Sequence, residues 1–178
     1  IIDNTGRYDN PTYLIDSILL GGGVTALNHS FQGASAQIGW FNALSTSLGI
    51  DSGIVLSTGD VYALDPSAIP GFPVMPVPAV TDPDLLNVAQ SVPGLIGQSF
   101  IVTSVNDIAV LEFDFIPSSD SLKFRYVFGS EEYFGFENSI FNDVFGFFLS
   151  GPGIAGPYAN GSINLAIVPN SNPPLPIT

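Results

Sequence analysis

The sequence predicts an all-β domain, namely a two-sheet antiparallel sandwich of jelly-roll type with one or two short helices. The 178 residues include 19 glycines and 15 prolines, and these turn-forming residues separate short apolar runs of strand length. One stretch alternates apolar and charged side chains, as strands with one buried face do. Hydrophobic residues make up 46% of the chain, which is enough for one core. Residues 1–178 are therefore predicted to be a single domain.

Two helices are predicted where a proline follows a capping residue. Asn10 can cap a helix that has Pro11 at its first position and ends at the glycines of residues 21–23. Asp82 and Pro83 open a second helix in the same way. Strands are predicted at residues 24–31, 53–58, 144–150 and 162–168. Five prolines between residues 66 and 78 favour an extended surface loop.

Residues 110–128 are predicted to form a β-hairpin. Apolar side chains alternate with acids in residues 110–115 and with bases in residues 122–128, and a turn at residues 117–121 joins the two runs. The antiparallel register that places Lys123 opposite Asp114 also places Arg125 opposite Glu112. The apolar and charge patterns thus agree on one pairing, in which both bases are structural.

The densest group of acids predicts a calcium site. Glu131 and Glu132 follow one predicted strand, and Asn142 and Asp143 precede the next. Calcium takes six to eight oxygen ligands, and no base lies in this stretch to neutralise the acids. These four residues are the candidate metal ligands, and we assign no catalytic residues. The alternative is that they are solvated loop acids or caps of backbone N–H groups.

Composition excludes several classes of function. The chain has 16 acidic and 3 basic residues, a formal net charge of −13, which opposes binding to nucleic acid and to anionic membranes. Its long uncharged stretches are interrupted by glycine, proline, serine or asparagine, so none is predicted to span a membrane. Cysteine is absent and His29 is the only histidine. Because no nucleophile elbow accompanies His29, we expect a strand residue there and no enzyme.

One long motif resembles a known family. The segments 128–133 and 139–154 read FGSEEY and SIFNDVFGFFLSGPGI. They resemble the signature of the choice-of-anchor L domain, and the resemblance extends through residues 19–24, 48–59, 109–115 and 164–169. It implies a module of large exported bacterial surface proteins that carry varied anchoring or sorting tails. No activity comes with the resemblance.

The resemblance also implies further strands beyond Thr178, because family members usually continue past this point. We therefore expect the domain to lack its C-terminal strands, or to receive them from a neighbour, and to associate with neighbouring domains or identical subunits. The expected function is a non-catalytic, calcium-stabilised adhesive or structural module outside a bacterial cell, with surface glycans as further partners. Two alternatives stay open: a subunit of an extracellular filament assembled by β-strand complementation, and a carbohydrate-binding or carbohydrate-cleaving domain in which Glu131 and Asp143 form the carboxyl pair.

Overall fold

The computed structural model describes residues 1–64, 81–130 and 143–178. These residues divide into two compact units, one made of residues 1–64 and 106–127 and the other of residues 81–105, 128–130 and 143–178. The described residues form seven strands, which in chain order are β1 (Ile2–Asp3), β2 (Val24–Gln32), β3 (Ile38–Asn42), β4 (Ser52–Leu56), β5 (Val110–Pro117), β6 (Phe148–Leu149) and β7 (Ile163–Asn164). The same residues form two α-helices, α1 (Pro11–Leu14) and α2 (Pro83–Leu95).

The first unit begins with the predicted helix. The Asn10 side chain accepts a hydrogen bond from the Tyr13 N–H at 3.2 Å, and Pro11 occupies the first turn, where its missing N–H costs nothing. A wider π-helical turn, Ile15–Leu19, continues the helix. Leu14 and Ile15 are completely buried. The prediction of a helix starting at Asn10 is confirmed.

Strands β1, β3 and β4 form a three-stranded antiparallel sheet with β3 in the centre. Gly39 makes the β1 contact possible, since a Cβ at this position would lie 2.9 Å from the Asp3 carbonyl oxygen. β4 matches the strand predicted at residues 53–58, whereas β1 and β3 were not predicted. Ile38 and Val61 are fully buried together with Leu14 and Ile15 in the core of this unit.

Strand β2, which matches the strand predicted at residues 24–31, pairs with β5 in a second antiparallel sheet. The register shifts between Leu27 and Ser30, and Asn28 there has a φ of 53°. Asparagine tolerates this left-handed conformation, which allows a β-bulge in the middle of the strand. One face of the sheet carries the polar residues Ser30, Glu112 and Asp114. The other carries apolar residues, including Phe113 and Phe115, whose rings lie 6.3 Å apart.

In the second unit, helix α2 begins where the sequence predicts. The Asp82 side chain accepts a hydrogen bond from the Leu85 N–H at 2.8 Å, and Val88 and Val92 are buried. In the first turn, both carboxylate oxygens of Asp84 accept the Ala159 N–H, at 3.1 and 3.0 Å. This contact ties α2 to a loop 75 residues away.

Strands β6 and β7 pair antiparallel but cover only two residues each, so the strands predicted at 144–150 and 162–168 are shorter than expected. Residues 175–177 lie beside both segments. The Phe145 N–H donates to the Ile177 carbonyl at 3.1 Å, and the Val168 N–H donates to the Leu175 carbonyl at 2.8 Å. Pro173, Pro174 and Pro176 have no N–H to donate, and this limits these contacts to isolated bridges.

The described residues thus form three small antiparallel sheets and two helices. The chain is mostly β, as predicted, and the arrangement into a two-sheet sandwich or jelly roll stays a prediction. The proline-rich loop predicted around residues 66–78 lies outside the described residues. No helix among those that the structure describes is long and apolar enough to cross a membrane.

Candidate functional site

The predicted calcium site is described only at one of its four residues. Asp143 is half-buried and accepts a hydrogen bond from the Ser130 hydroxyl, with 2.7 Å between Ser130 Oγ and Asp143 Oδ2. Glu131, Glu132 and Asn142 lie outside the described residues. The structure therefore brings two oxygen-bearing side chains, 13 positions apart, to one point.

Aromatic side chains flank this polar contact. Phe128 stacks on Phe145 with ring centroids 6.1 Å apart and 26° between the ring planes. Phe128 lies two residues before Ser130, and Phe145 lies two residues after Asp143. Both contacts therefore fit one antiparallel alignment of the two segments, in which alternate residues share a face. The carboxylate of Asp143 is thus held next to an aromatic pair.

The two side-chain oxygens at this point are of a chemical type that binds calcium. A carboxylate and a hydroxyl are hard oxygen ligands of the type that calcium prefers. Within residues 1–64, 81–130 and 143–178, however, no three side chains of the types His, Cys, Asp and Glu lie together as metal ligands. The calcium site and its four residues stay a prediction.

A second group of acids lies on the polar face of the β2–β5 sheet. Asn28 Nδ2 donates to Asp114 Oδ2 at 2.7 Å, and Glu112 Oε2 accepts from Gln32 Nε2 at 3.3 Å and from Ser30 Oγ at 3.4 Å. Carboxylates on alternate residues of β5 are therefore paired with amide and hydroxyl donors of β2. Hydroxyl, amide and carboxylate groups on one exposed face can all exchange hydrogen bonds with a sugar.

These contacts correct the predicted hairpin. Residues 121–130, which are all described, form no strand, and β5 pairs with β2 instead. Lys123 is therefore not opposite Asp114, and the Arg125 guanidinium donates to the Gly49 carbonyl rather than facing Glu112. The alternation of apolar and acidic residues correctly predicted β5 as a strand. Its acids, however, accept hydrogen bonds from uncharged amide and hydroxyl groups of β2 instead of pairing with bases.

The opposite face of β2 carries His29, as predicted for a strand residue. Its Nε2 lies 3.0 Å from Asp16 Oδ1, and the side chain is 13% exposed, against 46% for Asp16. No serine or threonine hydroxyl in the described ranges hydrogen-bonds to His29. The pair can orient the imidazole, but the structure places no nucleophile on it. The contact was not predicted, because Asp16 lies on the preceding helical turn.

The family model of the choice-of-anchor L domain matches residues 2–178. The chain belongs to this family. The match covers essentially the whole sequence and confirms the resemblance seen in the motif segments. It indicates a module of a surface-exposed protein. No curated protein and no solved structure matches the chain.

The motif segments of this choice-of-anchor L domain include strands of the sheets as well as residues of the candidate site. Residues 109–115 include most of β5, residues 48–59 include β4, and residues 164–169 begin at the end of β7. The segment 128–133 begins with Phe128 and Ser130, which make the two contacts with Phe145 and Asp143. Much of the motif therefore describes strands and their pairing.

An aromatic cluster in the choice-of-anchor L domain was not predicted. Trp40 of β3 stacks on Tyr8, with ring centroids 5.0 Å apart and 15° between planes. The Arg7 guanidinium lies 5.1 Å from the Tyr8 ring centroid and 5.2 Å from that of Tyr13. The hydrogen bond with the Tyr8 hydroxyl and the charge interaction with Tyr13 raise the pKa of Arg7. In the sequence, the only indication of this cluster is that Arg7, Tyr8 and Tyr13 lie within three residues of the helix cap, Asn10.

Proposed function

We propose that this choice-of-anchor L domain is a non-catalytic adhesive or structural module displayed outside a bacterial cell. The observation that carries the proposal is the family match over residues 2–178. A net charge of −13 supports it, because strong negative charge keeps an exposed domain soluble and repels nucleic acid.

The test uses intact cells of the source organism. Antibodies raised against the chain are expected to label unbroken cells, and brief protease treatment of these cells is expected to remove the label. Deleting the domain from its gene is expected to reduce attachment to surfaces or between cells while growth is unchanged. Labelling that appears only after the cells are lysed would refute the proposed location.

A carbohydrate-binding role is the second candidate, and the polar face of the β2–β5 sheet favours it. Asn28, Ser30, Glu112 and Asp114 present amide, hydroxyl and carboxylate groups on one face. Purified protein would be incubated with insoluble polysaccharides, and the bound fraction compared for wild type, Asp114→Ala and, as control, Asp120→Ala in the exposed turn. Binding lost only in Asp114→Ala would support this role, and equal binding by all three proteins would contradict it. Release of sugar from the polysaccharide would instead identify an enzyme.

Calcium stabilisation remains part of the proposal. Ser130 and Asp143 supply two hard oxygens at one point, and Glu131, Glu132 and Asn142 are the further ligands that the sequence suggests. Bound calcium would neutralise acids that have no base nearby in the sequence. Its role would be structural, because it would link the segment that ends at Ser130 to the segment that begins at Asp143.

A further inference from the structure

Strand β5 lies at the edge of its sheet. It pairs with β2 on one side, and in the described part of the chain no backbone hydrogen bond joins its other side to any segment. Residues 110–116 contain neither glycine nor proline, and the extra residues of the β-bulge belong to β2 rather than to β5. The free side is therefore a regular row of N–H and C=O groups, which can pair with an added strand.

One face of β5 presents two charges and one apolar side chain along this edge. Glu112, Asp114 and Ile116 alternate on that face and are all exposed, Ile116 by 60%. The two acids accept hydrogen bonds from uncharged groups of β2, and no base among the described residues neutralises them. Alternate residues of a strand lie about 7 Å apart, so two negative charges at this spacing are followed by an exposed apolar side chain.

The acids oppose pairing of this edge with the β5 of a second copy. If two copies paired antiparallel with Phe113 opposite Phe113, Glu112 of each copy would face Asp114 of the other. Pairing centred on either acid instead would place that acid opposite itself. Like charges directly opposite each other destabilise a strand pair, and the net charge of −13 adds to the repulsion. The edge therefore selects a strand that brings positive charge.

We propose that the free edge of β5 binds an extended basic segment of another protein, which joins the sheet as an antiparallel strand. Lysine or arginine fits opposite Glu112 and Asp114, and an apolar residue fits opposite Ile116. The residues between them lie on the other face, where they extend the apolar row that contains Phe113 and Phe115. Along the partner's sequence the pattern is apolar, apolar, basic, apolar, basic. This inference rests on the proposed adhesive or structural role, which it deepens by naming the chemistry of the partner.

The main test measures the binding of a synthetic peptide to the purified chain. The probe is a fluorescein-labelled peptide of sequence TVVKVKVT, and fluorescence anisotropy at physiological ionic strength gives its Kd. The control peptide, TVVVKKVT, has the same composition but adjacent lysines, so only one of them can face the acids. We expect it to bind at least about tenfold more weakly. Equal affinities would mean that the acidic protein attracts any cationic peptide, and would overturn the proposal.

Two matched double variants locate the binding site. Glu112→Gln with Asp114→Asn removes both charges but keeps side-chain oxygens that can accept the hydrogen bonds from β2. Its affinity for TVVKVKVT is expected to fall at least about tenfold. Asp9→Asn with Asp120→Asn removes the same charge from two other exposed positions and should change Kd less than about twofold. Circular dichroism checks folding, and equal losses in the two variants would overturn the proposal.

Methylation of the peptide's backbone nitrogens tests the strand pairing itself and leaves the protein unchanged. Alternate N–H groups of a strand point to opposite sides, so one methylated set faces β5 and the other faces solvent. One isomer is expected to lose binding and the other to retain it, and equal affinities of the two isomers would overturn the proposal. Since these assays need only purified protein, they can fail while surface display on cells succeeds, and the reverse also holds.

Discussion

At the scale of single residues, Gln37 joins three segments of the first unit that are far apart in the sequence. Its side chain is completely buried. Oε1 accepts the Ala34 N–H at 2.7 Å, and Nε2 donates to the carbonyls of Thr58 and Asp107 at 3.0 and 2.9 Å. Both N–H groups of the side-chain amide donate a hydrogen bond, and its oxygen accepts one of the two that it can accept. This is expected for a buried polar group.

We therefore expect Gln37→Met to destabilise the protein by about 2 kcal/mol, because methionine fills a similar volume but leaves three backbone groups without their partner. Urea denaturation followed by circular dichroism would measure the change. Gln32→Met is the matched control, since Gln32 is exposed and its loss should cost less than about 0.5 kcal/mol. Equal losses in both variants would contradict the role given to Gln37.

At the scale of elements, the sequence correctly predicted local features such as helix caps, but it did not predict which strands pair. Asn10 and Asp82 cap helices where the sequence predicts, since a cap and a following proline act within a few residues. The strand pattern of residues 110–115 was also recognised. Its partner was not, because β5 pairs with a strand about 86 residues away, as the Asn28–Asp114 contact shows. Nothing in the alternation of charges distinguishes that neighbour from the adjacent run at 122–128.

The cap of α2 gives the second prediction. Asp82→Ala removes the acceptor for the Leu85 N–H and should lower the free energy of unfolding by about 1 kcal/mol. Asp82→Asn is the matched control, because asparagine caps helices about as well as aspartate. Thermal or urea unfolding would measure both variants. If Asp82→Asn lost as much stability as Asp82→Ala, charge rather than capping would explain the effect.

The candidate site was predictable only in part. The acids of residues 131–143 stand out in the sequence because no base accompanies them, but the hydrogen bond between Ser130 and Asp143 was not predicted. The polar face of β2–β5 and the contact between Asp16 and His29 depend on strand pairing and on how a helical turn packs. Such contacts between distant segments leave no periodic signal in the sequence.

At the scale of the whole molecule, the net charge of −13 determines how a calcium experiment must be designed. Any cation relieves repulsion among the acids, so calcium and sodium can both raise the melting temperature. A calcium titration must therefore be compared with sodium chloride at equal ionic strength. Only the difference between the two series measures a specific site.

We expect calcium to stabilise the protein beyond that control, by about 2.7 kcal/mol when its concentration is a hundred times Kd. A chelator should remove the gain. Asp143→Asn should abolish the calcium-specific part while its side-chain oxygen still accepts from Ser130, whereas Asp120→Asn in the exposed turn should leave it intact. Identical melting curves in calcium and in sodium chloride at matched ionic strength would eliminate the site.

The stacking of Trp40 on Tyr8 makes the protein a convenient spectroscopic system. Trp40 is the only tryptophan, and it lies in the first unit with its ring 5.0 Å from that of Tyr8. Its fluorescence emission therefore reports on the opening of that unit alone, whereas far-ultraviolet dichroism also includes helix α2 of the second unit. Coincident transitions from the two probes would mean that one cooperative event unfolds both units, and separated transitions would reveal an intermediate.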